Sequence, residues 1–68
     1  MPEKYEVTGY NKDGNVVFRL LVEAPTEHVA KLYATAHLER TPDGADAVRN
    51  AVRTEARLRD RLEVIREV

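Results

Sequence analysis

Apolar and polar positions alternate twice near the start of the chain. Residues 4–10 set Tyr5 and Val7 against Glu6, Thr8 and Tyr10, and residues 16–23 set Val16, Phe18, Leu20 and Val22 against Val17, Arg19, Leu21 and Glu23. A period of two marks strands that bury one face. Between them Asn11-Lys12-Asp13-Gly14-Asn15 supplies, at Asp-Gly, the positive φ that a tight hairpin with a bulge requires. The pattern therefore predicts a β-hairpin over residues 4–23.

The period then changes. Pro25 stops the second strand, because proline cannot donate to a ladder. Thr26 is placed to cap a helix whose first turn carries Glu27, which predicts a helix over residues 26–39. At about 100° per residue Val29, Leu32, Tyr33 and Ala36 share one face, the stripe expected to cover the hairpin. Leu38 falls on the far side, where contact with the following loop or helix is expected. Thr41-Pro42-Asp43-Gly44 is the clear break in the second half, with Thr41 or Asp43 available as the next cap.

From Ala45 onward glycine and proline are absent, and Ala47, Val48, Ala51, Leu58, Leu62 and Ile65 fall within one arc of a helical wheel. This predicts a second, long helix over residues 43–67, about 33 Å in length. The competing reading turns residues 62–68, rich in β-branched side chains, into a third strand. The expected fold class is α+β, a hairpin followed by two helices (ββαα), in one small domain over residues 1–68. A helix of that length overhangs a two-stranded hairpin, and a hairpin leaves two open edges. Both point to a homodimer formed through the sheet edge, the long helix or both.

Length sharpens that expectation. A chain of 68 residues buries little more than half of its unfolded surface, so natural domains of this size lean on disulfides, metals or partners. Cysteine is absent, which removes disulfides and thiolate metal sites and fits a reducing compartment. The start of the chain shows no apolar leader, and its longest apolar runs fall far below membrane-spanning length, so a cytoplasmic location without membrane contact is expected. Eleven basic residues meet twelve acidic ones, and no overall field draws the chain to nucleic acid.

Catalysis finds little footing. Serine and cysteine are both missing, and His28 and His37 stand nine positions apart, outside the i,i+4 spacing that lets two histidines on a helix share a metal. The three glycines are scattered and form no phosphate-cradling loop. No catalytic, cofactor-binding or metal-ligating residue is expected, and no cofactor.

Two features point to binding. Arg49, Arg53, Arg57 and Arg61 recur every four residues, a like-charged row that the predicted long helix would present opposite its apolar stripe, either as a solvated face or to phosphates. The hairpin's outward face carries Val17 and Leu21, with Tyr10 across from them. Together with Leu58, Leu62 and Ile65 of the long helix these form the candidate protein interface. The strand, capped helix, loop and helix of residues 16–60 resemble in order the ribbon-helix-helix DNA-binding dimers, and that resemblance implies Val17, Arg19 and Leu21 facing DNA. Tyr5-Glu6-Val7-Thr8-Gly9 and Val22-Glu23-Ala24-Pro25-Thr26-Glu27 are similar to the opening of a small archaeal large-subunit ribosomal protein family, over about half the chain. The expected function is a small non-enzymatic protein-binding or accessory module, a phage-type or regulatory adaptor. The alternative is a nucleic-acid-binding regulator that uses the arginine row.

Overall fold

The computed structural model describes residues 3–59. Among them stand three strands and two helices in the order β1 (Glu3–Tyr10), β2 (Val16–Ala24), α1 (Glu27–Leu38), α2 (Pro42–Asn50) and β3 (Arg53–Leu58). The strands form one antiparallel sheet in the order β2-β1-β3. The α+β class and the hairpin are as the alternation predicts.

At the turn, Gly14 takes φ +85°, and the Asn11 side chain accepts from the amides of Asp13 and Asn15 at 2.9 and 3.0 Å. The register slips between Gly9 and Tyr10, so that Gly9 faces Phe18 while Tyr10 faces Val16. This bulge corrects the simple alternation at the base of β2. Val16 is half exposed, and Val17 packs against the core.

Both helix starts follow the predicted capping chemistry. Thr26 accepts from the amide of Val29 at 3.2 Å, and Thr41 accepts from that of Gly44 at 3.1 Å, each satisfying an amide the helix cannot. The face that α1 buries differs from the predicted one. Ala30 and Ala34 are fully buried, whereas Leu32 and Tyr33 are 55% and 52% exposed and Ala36 is exposed. Small side chains win the contact because they let the helix backbone approach the sheet closely, and the larger residues turn to its flank. Leu38 packs against the core and against α2 as expected.

The long second helix does not form. Helix α2 ends at Asn50, with the Ala51 backbone extended and its amide donating to the carbonyls of Ala47 and Val48. The amide of Val52 then donates to the Tyr10 carbonyl at 2.8 Å, and residues 53–58 run along β1. A third strand exists, but at 53–58. The proposed strand over 62–68 lies outside the described residues. Helix propensity at Arg53–Leu58 yields to the unpaired edge of β1, whose amides and carbonyls need partners, and the strand also relieves the like-charge i,i+4 spacing of the arginines.

The core between sheet and helices is built from Tyr5, Val7, Phe18, Ala24, Ala30 and Ala34, with Leu20, Val22, Val48 and Ala56 packed against them. Two glycines set its tightest approaches. A side chain at Gly9 would overlap the Phe18 ring across the strands, and one at Gly44 would overlap the Leu38 carbonyl, which is backbone. Gly44→Ala is therefore expected to destabilise the fold by about 3 kcal/mol, and Gly9→Ala by about 1–2 kcal/mol, because a buried ring yields more readily than a helix terminus. Urea denaturation of both variants checks this order, and a Gly44→Ala variant as stable as the parent contradicts it.

Candidate functional site

Among the described residues, helices cover one face of the sheet. Strand alternation and the register give the opposite, outward face the row Lys4, Glu6, Thr8 and Tyr10 on β1, flanked by Arg19, Leu21 and Glu23 on β2 and by Arg53, Glu55 and Arg57 on β3. Arg59 extends the β3 row, since its amide donates to the Lys4 carbonyl at 2.9 Å.

Charge on this face is interleaved. The Arg59 guanidinium donates to Glu6 Oε1 at 2.7 Å, and Arg19 Nε lies 3.5 Å from Glu6 Oε2. Glu6 is thus clamped between an edge arginine on each side of the central strand. Arg53 Nε sits 3.5 Å from a Glu55 carboxylate oxygen, and its guanidinium carbon lies 4.4 Å from the centre of the Tyr10 ring, a cation–π geometry. Arg57 has no ion pair among the described residues. Five cations meet three carboxylates here, so the face is mildly positive although the chain is near neutral. A shallow depression lined by Glu6, Thr8, Tyr10, Arg19, Glu55 and Arg57 lies at its centre, and the walls of longer side chains leave Thr8 buried.

The residues singled out from the sequence are redistributed. The helical arginine row is absent: Arg49 is on α2, ion-paired with Asp46, Arg53 and Arg57 project from β3, and Arg61 lies outside the described residues. Sheet register instead joins Arg53 and Arg57 with Arg19, Arg59 and Lys4. Of the candidate interface, Leu21 is 59% exposed on β2 and Tyr10 is half-buried on the outward face. Val17 turns toward the core and the wall of a cleft shared with Asn11, Lys12, Arg49 and Val52. Leu58 is 49% exposed at the end of β3 on the helix-covered face, opposite Tyr5. Leu62 and Ile65 lie outside the described residues. Glu6 and Arg59 escaped the sequence reading because their meeting depends on β3. The period-two spacing of Arg53, Glu55, Arg57 and Arg59 was the available signal.

His28 and His37 are both exposed on α1. Among the described residues no cluster of three potential metal-ligating side chains occurs, and no helix is long and apolar enough to cross a membrane. No family model matches the chain, and neither a curated protein nor a solved structure matches it.

The Glu6 clamp has a measurable consequence. Its partners remain partly exposed, which limits each pair to a modest contribution. Glu6→Gln is expected to lower stability by about 0.5–1 kcal/mol, with the loss shrinking in 1 M salt. A thermal melt at low and high salt checks it; an equal loss at both would mean that Glu6 acts through packing.

Proposed function

We propose that this chain is a non-enzymatic binding module that offers the free edge of β2 to a protein partner, working in the cytoplasm as an adaptor. The observation that carries the reading is the edge itself: eight of the nine residues of β2 pair with β1 on one side, and no described strand pairs on the other. An unpaired edge is a ready template for a further strand, with main-chain hydrogen bonds supplying affinity and alternate side chains supplying selectivity. Leu21 at 59% exposure and Val16 at 47% add apolar surface along that edge. The reading takes no catalytic role for the chain, in keeping with the absence of serine and cysteine from the sequence and with His28 and His37 standing apart and exposed on α1.

A second reading has one observation in its favour. The outward face gathers Arg19, Arg53, Arg57, Arg59 and Lys4 beside Tyr10, a combination of cations and an aromatic ring that suits a nucleic-acid strand. It ranks second because Glu6 and Glu55 already engage three of the four arginines.

Amide chemical-shift mapping separates the two. Titration with a ten-residue peptide alternating valine with threonine and lysine is expected to shift the amides of Val16–Ala24 and to leave β3 unchanged. Single-stranded or duplex oligonucleotides at physiological salt are expected to shift nothing. Salt-sensitive shifts centred on Tyr10, Arg53 and Arg57 with the oligonucleotides, and none on β2 with the peptide, would reverse the ranking.

A further inference from the structure

The free edge of β2 has a symmetry that selects its occupant. We infer that the occupant is a second copy of this chain, paired antiparallel through β2 about a two-fold axis that passes at Leu21. The inference rests on the sheet-edge reading above and names its partner.

Strands paired in one sheet place partners on the same face, and side chains alternate between faces. A two-fold axis between two copies of β2 must therefore pass at a residue, and each choice fixes every pair. Centred on Leu21, the outward row sets Leu21 against Leu21 of the second copy, and on either side Arg19 meets Glu23. Both residues are exposed. The two salt pairs are thus generated by one sequence element acting on its own copy, as an isologous interface requires. On the helix-covered face the same register sets Leu20 against Val22 and Phe18 against Ala24. It ends where Pro25 faces Val17, so proline closes the ladder instead of interrupting it.

Neighbouring registers lose this match. Centring on Leu20 sets Arg19 against Leu21 and Glu23 against Val17, and centring on Val22 sets Arg19 against Pro25 and Leu21 against Glu23. A charge opposite an apolar residue or a proline gains none of the cross-strand attraction that opposite charges provide. A groove lined by Lys4, Leu21, Val22 and Glu23 lies beside the axis, with Leu21 on its wall.

The other edge is a poorer template. Strand β3 has six residues, its outward row is charged throughout, and its opposite row offers threonine and alanine at the centre. Pairing through β2 produces a six-stranded sheet in the order β3-β1-β2-β2-β1-β3, with all four helices on one side and the two outward faces joined. Two nine-residue edge strands alone bury less than the roughly 1,200 Å² typical of stable interfaces, so the dimer is expected to dissociate in the micromolar range.

Charge reversal tests the register. Arg19 and Glu23 are exposed, and although Arg19→Glu also replaces one of the two arginines beside Glu6, a partly exposed pair contributes little, so each variant is expected to fold, which far-ultraviolet circular dichroism checks. In Arg19→Glu both cross-axis pairs become acid against acid, and in Glu23→Arg both become base against base. Light scattering on a size-exclusion column at about 1 mM is expected to give twice the 7.8 kDa chain mass for the parent and the single mass for either variant. An equimolar mixture of the two variants is expected to recover the dimer, since every pair across the axis is then opposite in charge. The double variant Arg19→Glu with Glu23→Arg is expected to dimerise like the parent. A parent that stays monomeric, or single variants that dimerise as well as the parent, would overturn the inference. A monomeric parent whose β2 amides still shift with the strand peptide would overturn the second copy alone and leave the sheet-edge reading standing.

Discussion

Strand β1 must satisfy hydrogen-bonding groups on both of its sides, and most of the molecule follows from that requirement. Its alternate residues Tyr5, Val7 and Gly9 face the helices and supply the middle of the core. Pairing on one side is local, through the Asn11–Asn15 turn. On the other side it is distant, and it draws residues 53–58 out of the helix that their composition would allow. A buried or central backbone that leaves amides unpaired costs more than a run of helix propensity returns. The helices then fit over a sheet that β3 completes, and they do so with alanine and glycine where they come closest. Val7 is the one large side chain among the described residues with essentially no exposure. The core is therefore thin, and backbone proximity at Gly9 and Gly44 matters as much as side-chain volume.

The sheet's other face shows what the described elements leave uncovered. Cations and carboxylates interleave across three strands, and Arg19 of β2 and Arg59, just beyond β3, share the Glu6 carboxylate of the central strand. Such a face is hydrated and held in place by modest, salt-sensitive pairs. Its conformation depends on strand register: a slip of β3 by one residue would send Arg57 and Arg59 to the helix-covered side and bring Ala56 and Leu58 out. Register and surface charge thus constrain each other.

The hairpin and both helix starts were legible in the sequence because each is written by neighbours: Asp13-Gly14 for the turn, Thr26 and Thr41 for the caps, Pro42 for the first turn of α2, although the break expected over Thr41–Gly44 falls at residues 39–41. What was illegible depends on residues far apart. Periodicity assigns Leu32 and Tyr33 to the buried face of α1, but the close packing that selects Ala30 and Ala34 is a property of the sheet beneath. The end of α2 carries no glycine or proline, so nothing local announces it. Residues 53–58 contain Arg, Thr, Glu, Ala and Leu, a helix-compatible set made into a strand by the edge of β1. The outward charged face went unseen for the same reason, since its register exists only once β3 is in place.

The pairing of β1 with β3 also sets an order of events during synthesis. The first described strand must wait for the last before its second side is closed, and contacts so far apart in the chain are slow to form. A nascent chain can make the β1–β2 hairpin early and dock α1 upon it, but until Arg53–Leu58 emerges the hairpin has open backbone on both flanks. During that interval the outer side of β1 is as available to a neighbouring nascent chain as the outer side of β2. The arginines and glutamate of β3 arrive after the hairpin and both helices and close β1 beneath a strand whose own outward row is charged throughout.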